Sequence, residues 1–290
     1  MSAVSAALFR AANLREMDYP FDAALASAME FCQQAVIIVG QSVDDTDVWV
    51  RQQAGKYLGR VIVQHTQFVF DRGWQERWWK QAAALTDADW LMWLDCDEVI
   101  DPIYAPELRR LMENPELFAV RFPFVHFWGS QNWVATEFLK TNTRLGRRSA
   151  GFCMVNMCDD DNPSFAACAV QIRDLRNRET DAHAYRGKAI IDVDFPILHY
   201  SWCRSALAKN RIIARENSWY KAEDDGLRDG RMPQVQPFNY RMAEHRQSGY
   251  ILPYQGKHPT ILDRWFSDHA KEWADREREA QGRQELATQR

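Results

Sequence analysis

The stretch Trp90-Leu91-Met92-Trp93-Leu94-Asp95-Cys96-Asp97-Glu98-Val99 decides how this chain is read. An apolar run ends in three carboxylates within four positions. The run has the composition of a buried parallel strand, and such strands aim their C-terminal ends at ligand crevices. Continued as a strand, the segment projects Asp95 and Asp97 from one face and Cys96 from the other. Two adjacent carboxylates repel unless positive charge lies between them. A hard divalent cation meets that need, and Mg²⁺ or Mn²⁺ commonly takes one or two carboxylates plus phosphate oxygens. The expectation is a metal-bridged diphosphate; a solvated strand end followed by a helix cap is the plainer alternative.

Working outward, the first hundred residues alternate as βαβ units. Residues 4–9 form a strand candidate, and Phe21, Ala24, Leu25, Ala28, Met29 and Cys32 recur at helical spacing. Strands are expected at 35–39, 60–63 and 90–95, with helices over about 46–57 and 73–86 between them. This order predicts a parallel, right-handed, doubly wound sheet. The second half reads differently. A short helix is expected over 106–112, and an aromatic strand over 117–128 that its proline assigns to a sheet edge. Residues 135–144 and 188–199 are further strand candidates, 159–187 read as polar loops, and 203–222 and 260–286 as helices. The last helix is rich in Glu, Arg and Gln and reads as a solvated tail.

Bulk properties narrow the class. A chain of 290 residues with 46% hydrophobic content buries a substantial core. A net charge of -4 argues against a general nucleic-acid binder. The 6 cysteines lack Cys-x-x-Cys pairs and zinc spacing, so they read as reduced thiols of a cytoplasmic protein. No stretch approaches the roughly 20 apolar residues of a membrane span, and residues 1–9 lack a basic leader pattern. Peripheral membrane contact stays open.

The second chemical signal is Gly40-Gln41-Ser42-Val43-Asp44-Asp45-Thr46, where a strand hands over to a helix. Asp45 and Thr46 suit helix capping, and a helix N-terminus presents backbone donors to anions. In an open α/β sheet this turn and the Asp95 segment share the carboxyl edge. Trp74, Trp78 and Trp79 sit at helical spacing and read as core, whereas Trp128 and Trp133 flank a loop.

Taken in order, these segments resemble glycosyltransferase family 2, whose fold is GT-A. The resemblance runs through Asn13, Tyr19-Pro20-Phe21, a Val39-Gly40-Gln41-Ser42-Val43-Asp44-Asp45-Thr46 variant of the Ser-x-Asp-x-Thr turn, and the Asp95-Cys96-Asp97-Glu98 motif. It continues through His126-Phe127-Trp128-Gly129-Ser130, Thr143-Arg144-Leu145-Gly146-Arg147, Leu198-His199-Tyr200-Ser201-Trp202 and Gly256-Lys257-His258-Pro259. It implies a Rossmann-like, mostly parallel sheet with helices on both faces, plus an acceptor-side β/helical portion. The implied layout is one domain over 1–265, with a nucleotide-sugar half (1–102) and an acceptor half (103–265), then a charged helical tail (266–290).

The resemblance further implies an inverting, metal-dependent transfer from a nucleotide-sugar donor to an acceptor hydroxyl. Ser42, Asp44 and Asp95 would lie about the donor, and Asp95, Asp97 and His199 about Mn²⁺ or Mg²⁺; Arg144, whose guanidinium fork suits phosphate oxygens, is a further donor-binding candidate. Asp97 is the candidate catalytic residue, with Glu137 and the run Asp159-Asp160-Asp161, centred on Asp160, as candidate bases. Glycan, lipid-linked, protein and modified-nucleobase acceptors all remain open. Val39 stands where many members carry a base-reading aspartate, and Gln41 replaces a usual glycine, so uridine selectivity is in question. Two other readings use the same residues: a haloacid-dehalogenase-type phosphatase with Asp95 as nucleophile, and a non-catalytic sugar-nucleotide-binding protein on the GT-A fold.

Overall fold

The computed structural model describes residues 3–67, 74–136, 141–150, 152–158, 166–173, 179–181, 190–211 and 240–288. Strands β1 (Ser5–Ala11), β2 (Gln34–Val39), β3 (Val61–His65) and β4 (Trp90–Trp93) lie parallel in the order β3-β2-β1-β4. Their crossovers are α1 (Phe21–Phe31), α2 (Thr46–Ala54) and α3 (Trp74–Ala84). Alternation along β1 serves two cores. Ala7, Phe9 and Ala11 pack with Phe21 and Leu25 of α1, while Ala6 and Leu8 pack with Trp78, Trp79 and Ala82 of α3. Burying a side chain such as Phe9 contributes about 1.5–3 kcal/mol, which is why β1 carries apolar residues on both faces. Helices thus cover both sides of the sheet, as the βαβ pattern predicts.

The second half extends the same sheet with mixed strands. β8 (Thr141–Arg147) runs antiparallel to β4 and to β6 (Ala119–Trp128). β7 (Ser130–Ala135) and β14 (Ile251–Pro253) continue the antiparallel order outward. β12 (Ile190–Asp192) and β13 (Ile197–Trp202) join β6 in parallel, and β5 (Glu98–Ile100) pairs antiparallel with β13. This is the mixed α/β architecture of the GT-A expectation.

Several local expectations are corrected. The strand predicted over 90–95 ends at Trp93, and a turn carries residues 95–97 before β5, closed by the Glu98 N–H donating to the Asp95 carbonyl at 3.1 Å. Asp95 and Asp97 therefore do not share a strand face. β6 is internal, not an edge. Pro123 is tolerated because it falls between the β12 ladder, which stops at Arg121, and the β13 ladder, which begins at Phe124. The stretch read as loops over 159–187 contains β10 (Ala166–Arg173) and β11 (Glu179–Asp181), which form a separate antiparallel sheet with β9 (Cys153–Cys158). The Ala-rich run in β10 has too little apolar contrast to register as a strand.

The short helix expected over 106–112 is α4 (Ala105–Glu113); after Arg204 the chain is helical at 206–211, and α5 (Met242–Gln247) and α6 (Asp263–Thr288) follow. Despite its charge content, α6 is docked through buried Trp265, Trp273 and Ala280. Its Arg276 donates to the Gly129 carbonyl at 2.6 Å, and its Glu277 accepts from Ser130 Oγ at 2.5 Å. Gly129 makes the β6–β7 turn at φ +76°, and a Cβ there would strike the Met242 side chain.

Candidate active site

Three loops meet at the carboxyl edge of β1, β2 and β4. The first follows β1, where Asn13 and Asp18 hold positive φ values of 51° and 57° that Asx residues accept more readily than most. The second is the 40–46 turn. The two are stitched by side chains of the Ser-x-Asp-x-Thr segment. Ser42 Oγ accepts from the Asn13 N–H at 3.0 Å, Thr46 Oγ1 from Leu14 at 2.7 Å, and Asp44 from Glu16 at 2.7 Å. Asn13 Oδ1 answers by accepting from Val43 at 2.8 Å. The hydroxyls and carboxylate of this turn thus hold the loop that would face a ligand. Asp44 also accepts from the Thr46 N–H at 3.0 Å, so it, not Asp45, supplies the side-chain oxygen near the start of α2.

The third loop carries Asp95, Cys96 and Asp97. Cys96 Sγ donates to the Arg10 carbonyl at 3.0 Å, tying it to the end of β1. Asp95 is the open carboxylate, its side chain 32% exposed. Asp97 is 2% exposed and forms a buried ion pair with Arg204. His199 Nε2 lies 3.4 Å from the same carboxylate. Burial alone would raise the Asp97 pKa, but the Arg204 charge, and then His199, hold it well below the usual carboxylate range.

His199 also reaches His126, with 2.7 Å between their Nδ1 atoms. One nitrogen must donate and the other accept. Burial lowers both histidines, and the charge of His199 adds to the effect on His126, which falls to about 3; Asp97 more than offsets burial for His199, whose pKa rises. When His199 is protonated its Nδ1–H donates and neutral His126 accepts. The result is a relay Arg204–Asp97–His199–His126 crossing from the turn to β13 and β6.

On the other flank Arg144 is 7% exposed. Its Nη2 is 2.5 Å from buried Glu98 and 3.8 Å from Asp95, and its guanidinium lies 3.8 Å from the centre of the Trp93 ring. Glu98 closes the turn as well, accepting from the Asp95 N–H at 3.0 Å. Burial drives the Glu98 pKa up to about 7 in spite of Arg144. Arg144 Nε and Nη1 and Arg204 Nε are buried with no hydrogen-bond partner among the described residues.

Of the residues singled out from sequence, the fold brings Asp95, Asp97, Arg144 and His199 into one cluster, with Ser42 and Asp44 in the adjoining loop. Glu137 and Asp160 lie outside the described residues. Arg204 and the pairing of His126 with His199 were missed. A single arginine two positions after the His199-Tyr200-Ser201-Trp202 segment was the available signal for the former. The donor set expected for Mn²⁺ or Mg²⁺ fits poorly as packed. Asp97 is matched by Arg204, Asp95 and Glu98 face Arg144, and no group of three metal-capable side chains converges among the described residues.

A pocket of about 510 Å³ lies beside this cluster, lined in part by Asp18, Tyr19, Trp49, Arg264 and His269. Tyr19 joins pocket to cluster, since the Arg204 guanidinium stacks 3.5 Å from its ring centre. His269 Nε2 meets Asp18 at 2.7 Å while its Nδ1 meets the Trp265 carbonyl at 2.7 Å. Both ring nitrogens donate only when the imidazole is protonated. Burial opposes that form, and the Asp18 bond outweighs it.

No protein-family model matches the chain. No curated protein matches it either. Among solved structures, S. aureus TarS 1–349 in complex with UDP is similar over 74% of this chain and 65% of that one, at 10% identity and TM-score 0.46. S. aureus TarS 1–349 alone gives 73%, 65%, 11% and 0.42 for the same quantities. Glucosyl-3-phosphoglycerate synthase from Mycobacterium tuberculosis, in complex with Mn²⁺, UDP and phosphoglyceric acid, is similar over 43% of each chain at 14% identity and TM-score 0.30. The chain spans less than two-thirds of each of these structures. These are distant likenesses of chain path, and the reading of the site rests on its own residues.

Proposed function

We propose that this chain transfers a glycosyl group from a nucleoside-diphosphate sugar to an acceptor hydroxyl, with inversion at the anomeric carbon. One observation carries the reading: an open carboxylate, Asp95, stands against a buried, incompletely paired Arg144 at the carboxyl edge of a parallel sheet. Such an edge is where open α/β sheets bind nucleotides. A guanidinium suits phosphate oxygens, and a neighbouring carboxylate suits ribose or sugar hydroxyls.

In this reading the donor's diphosphate lies toward Arg144, and Asp95 accepts from a donor hydroxyl. Asp97 acts by position, holding His199 and Arg204 in place. As negative charge builds on the departing diphosphate, fixed guanidinium charge stabilises it without rearrangement. A carboxylate takes the acceptor's proton as the hydroxyl attacks from the opposite face. Glu137 and Asp160 remain our candidates for that base. The family resemblance implies Mn²⁺ or Mg²⁺ here with Asp95, Asp97 and His199, but Arg204 and Arg144 already face those carboxylates, and their fixed charge is what the diphosphate meets in this reading.

The test is release of nucleoside diphosphate from UDP-, GDP-, CDP- and dTDP-sugars in the presence of mixed glycan acceptors. Turnover of one donor that falls about a hundredfold in Asp95→Asn supports the reading. Hydrolysis of p-nitrophenyl phosphate that depends on Asp95, with no donor consumed, replaces it with the phosphatase reading. Donor binding without any turnover replaces it with a binding protein.

A further inference from the structure

We infer that the charge of the bound diphosphate is met by the protein's own guanidinium groups, Arg144 in front and Arg204 behind, and not by a divalent cation. The inference rests on the donor reading above and concerns how the same site holds its ligand.

The charge pattern is the first argument. A divalent cation needs uncompensated negative charge among its ligands. Here Asp97 is matched by Arg204 and His199, and Glu98 by Arg144, whose guanidinium also lies 3.8 Å from the partly exposed Asp95. A cation entering this cluster would have to displace a buried arginine from its carboxylate, or sit between guanidinium groups that repel it. An anion meets neither obstacle.

The unmet hydrogen-bond donors are the second argument. Buried polar groups are nearly always paired, so an unpaired buried guanidinium N–H calls for an explanation. Arg144 leaves Nε and Nη1 without a partner among the described residues, and Arg204 leaves Nε. All three are donors, and all three belong to permanently charged side chains. Unpaired acceptors would have pointed to a metal or a hydroxyl, whereas unpaired cationic donors point to an oxyanion.

Preorganisation is the third. The Arg144 guanidinium lies between Trp93, at 3.8 Å, and Phe124, at 5.0 Å, and Arg204 stacks on Tyr19 at 3.5 Å. Aromatic faces hold both groups in place while leaving their planar edges as the polar surface. Asp95, adjoining Arg144 and partly exposed, marks the side from which a ligand reaches the cluster.

The experiment is titration calorimetry of the full chain with UDP, GDP, CDP and dTDP, in EDTA and again in Mn²⁺. The expected result is one nucleotide whose Kd agrees within about threefold between the two conditions, because no metal bridges it. In EDTA, Arg144→Gln should weaken that binding by about tenfold to a hundredfold, the scale of a charged hydrogen bond, and Arg144→Lys should retain part of it. The wild-type comparison stands even if a variant fails to fold. Binding that tightens about tenfold or more on adding Mn²⁺ overturns the inference and leaves the donor reading intact. Binding in EDTA that folded Arg144→Gln and Arg144→Lys both leave unchanged overturns the role of Arg144. Absence of binding to every nucleotide in both conditions overturns the donor reading, and the inference falls with it.

Discussion

Replacing Asp97 by Asn separates two pictures of this site through stability alone. In the structure the carboxylate is 2% exposed and paired with Arg204, itself 2% exposed. Asn removes the negative charge and leaves a guanidinium buried against a neutral amide. Breaking a buried pair by deleting one partner costs about 3–5 kcal/mol. At about 2–4 °C per kcal/mol for domains of 150–250 residues, the Tm should fall by about 6 °C or more. Arg204→Met alone should cost a similar amount, since it strands Asp97. The double variant should recover about 1–3 kcal/mol of the summed loss, the coupling typical of residues in contact. If Asp97 instead faced Asp95 as an open cation ligand, removing its charge would relieve repulsion, and Asp97→Asn would be neutral or stabilising. Differential scanning fluorimetry and urea titration of the three variants measure this directly. A Tm for Asp97→Asn at or above wild type refutes the ion-pair argument and everything drawn from it.

Asp95→Asn should lower donor turnover by about a hundredfold and leave the Tm within about 2 °C, because its side chain is partly exposed; nucleotide release assays beside thermal melts check both. The Asp18–His269 pair predicts a pH window. His269 has its pKa raised above 6.5, so its contribution is full below that value and is lost as pH rises through the raised one. Burial would raise the Asp18 pKa, but the His269 bond and charge take it below 3.8, so its contribution is full above 3.8 and is lost as pH falls through the lowered value. The Tm difference between wild type and His269→Gln should therefore be largest at about pH 5–6 and shrink toward about pH 9, and a difference that grows with pH would refute the pairing. Gly146→Ala should destabilise by about 1–3 kcal/mol or fail to fold, because a Cβ there runs into the Phe152 ring, and urea melts would read the loss.

The parallel half was legible because its elements rest on local patterns. Helical spacing over 21–32, the β-branched run at 35–39 and the apolar run at 90–94 each declare themselves within a few residues. The 95–97 turn was not legible. Whether an apolar run continues as a strand depends on whether a neighbour pairs with it, and β4 loses its partner β8 after Met92. Pro123 misled for the same reason, since the gap between two ladders is a property of β12 and β13. The charge on α6 masked its docking, because a few residues, Trp265, His269, Trp273 and Ala280 among those described, are buried while the exposed positions carry the composition.

By itself the sequence determined the elements of the parallel half and their βαβ order, and that the 40–46 turn and the Asp95 segment share one edge of the sheet. Only the tertiary structure decided what those side chains do for each other. Arg204 is 107 positions from Asp97, and His126 is 73 from His199. A carboxylate's chemistry depends on the charges within a few ångströms of it, and long-range packing chooses those charges. The same Asp97 is a metal ligand when only its neighbours in the chain are known, and the anchor of a buried arginine once the fold has closed.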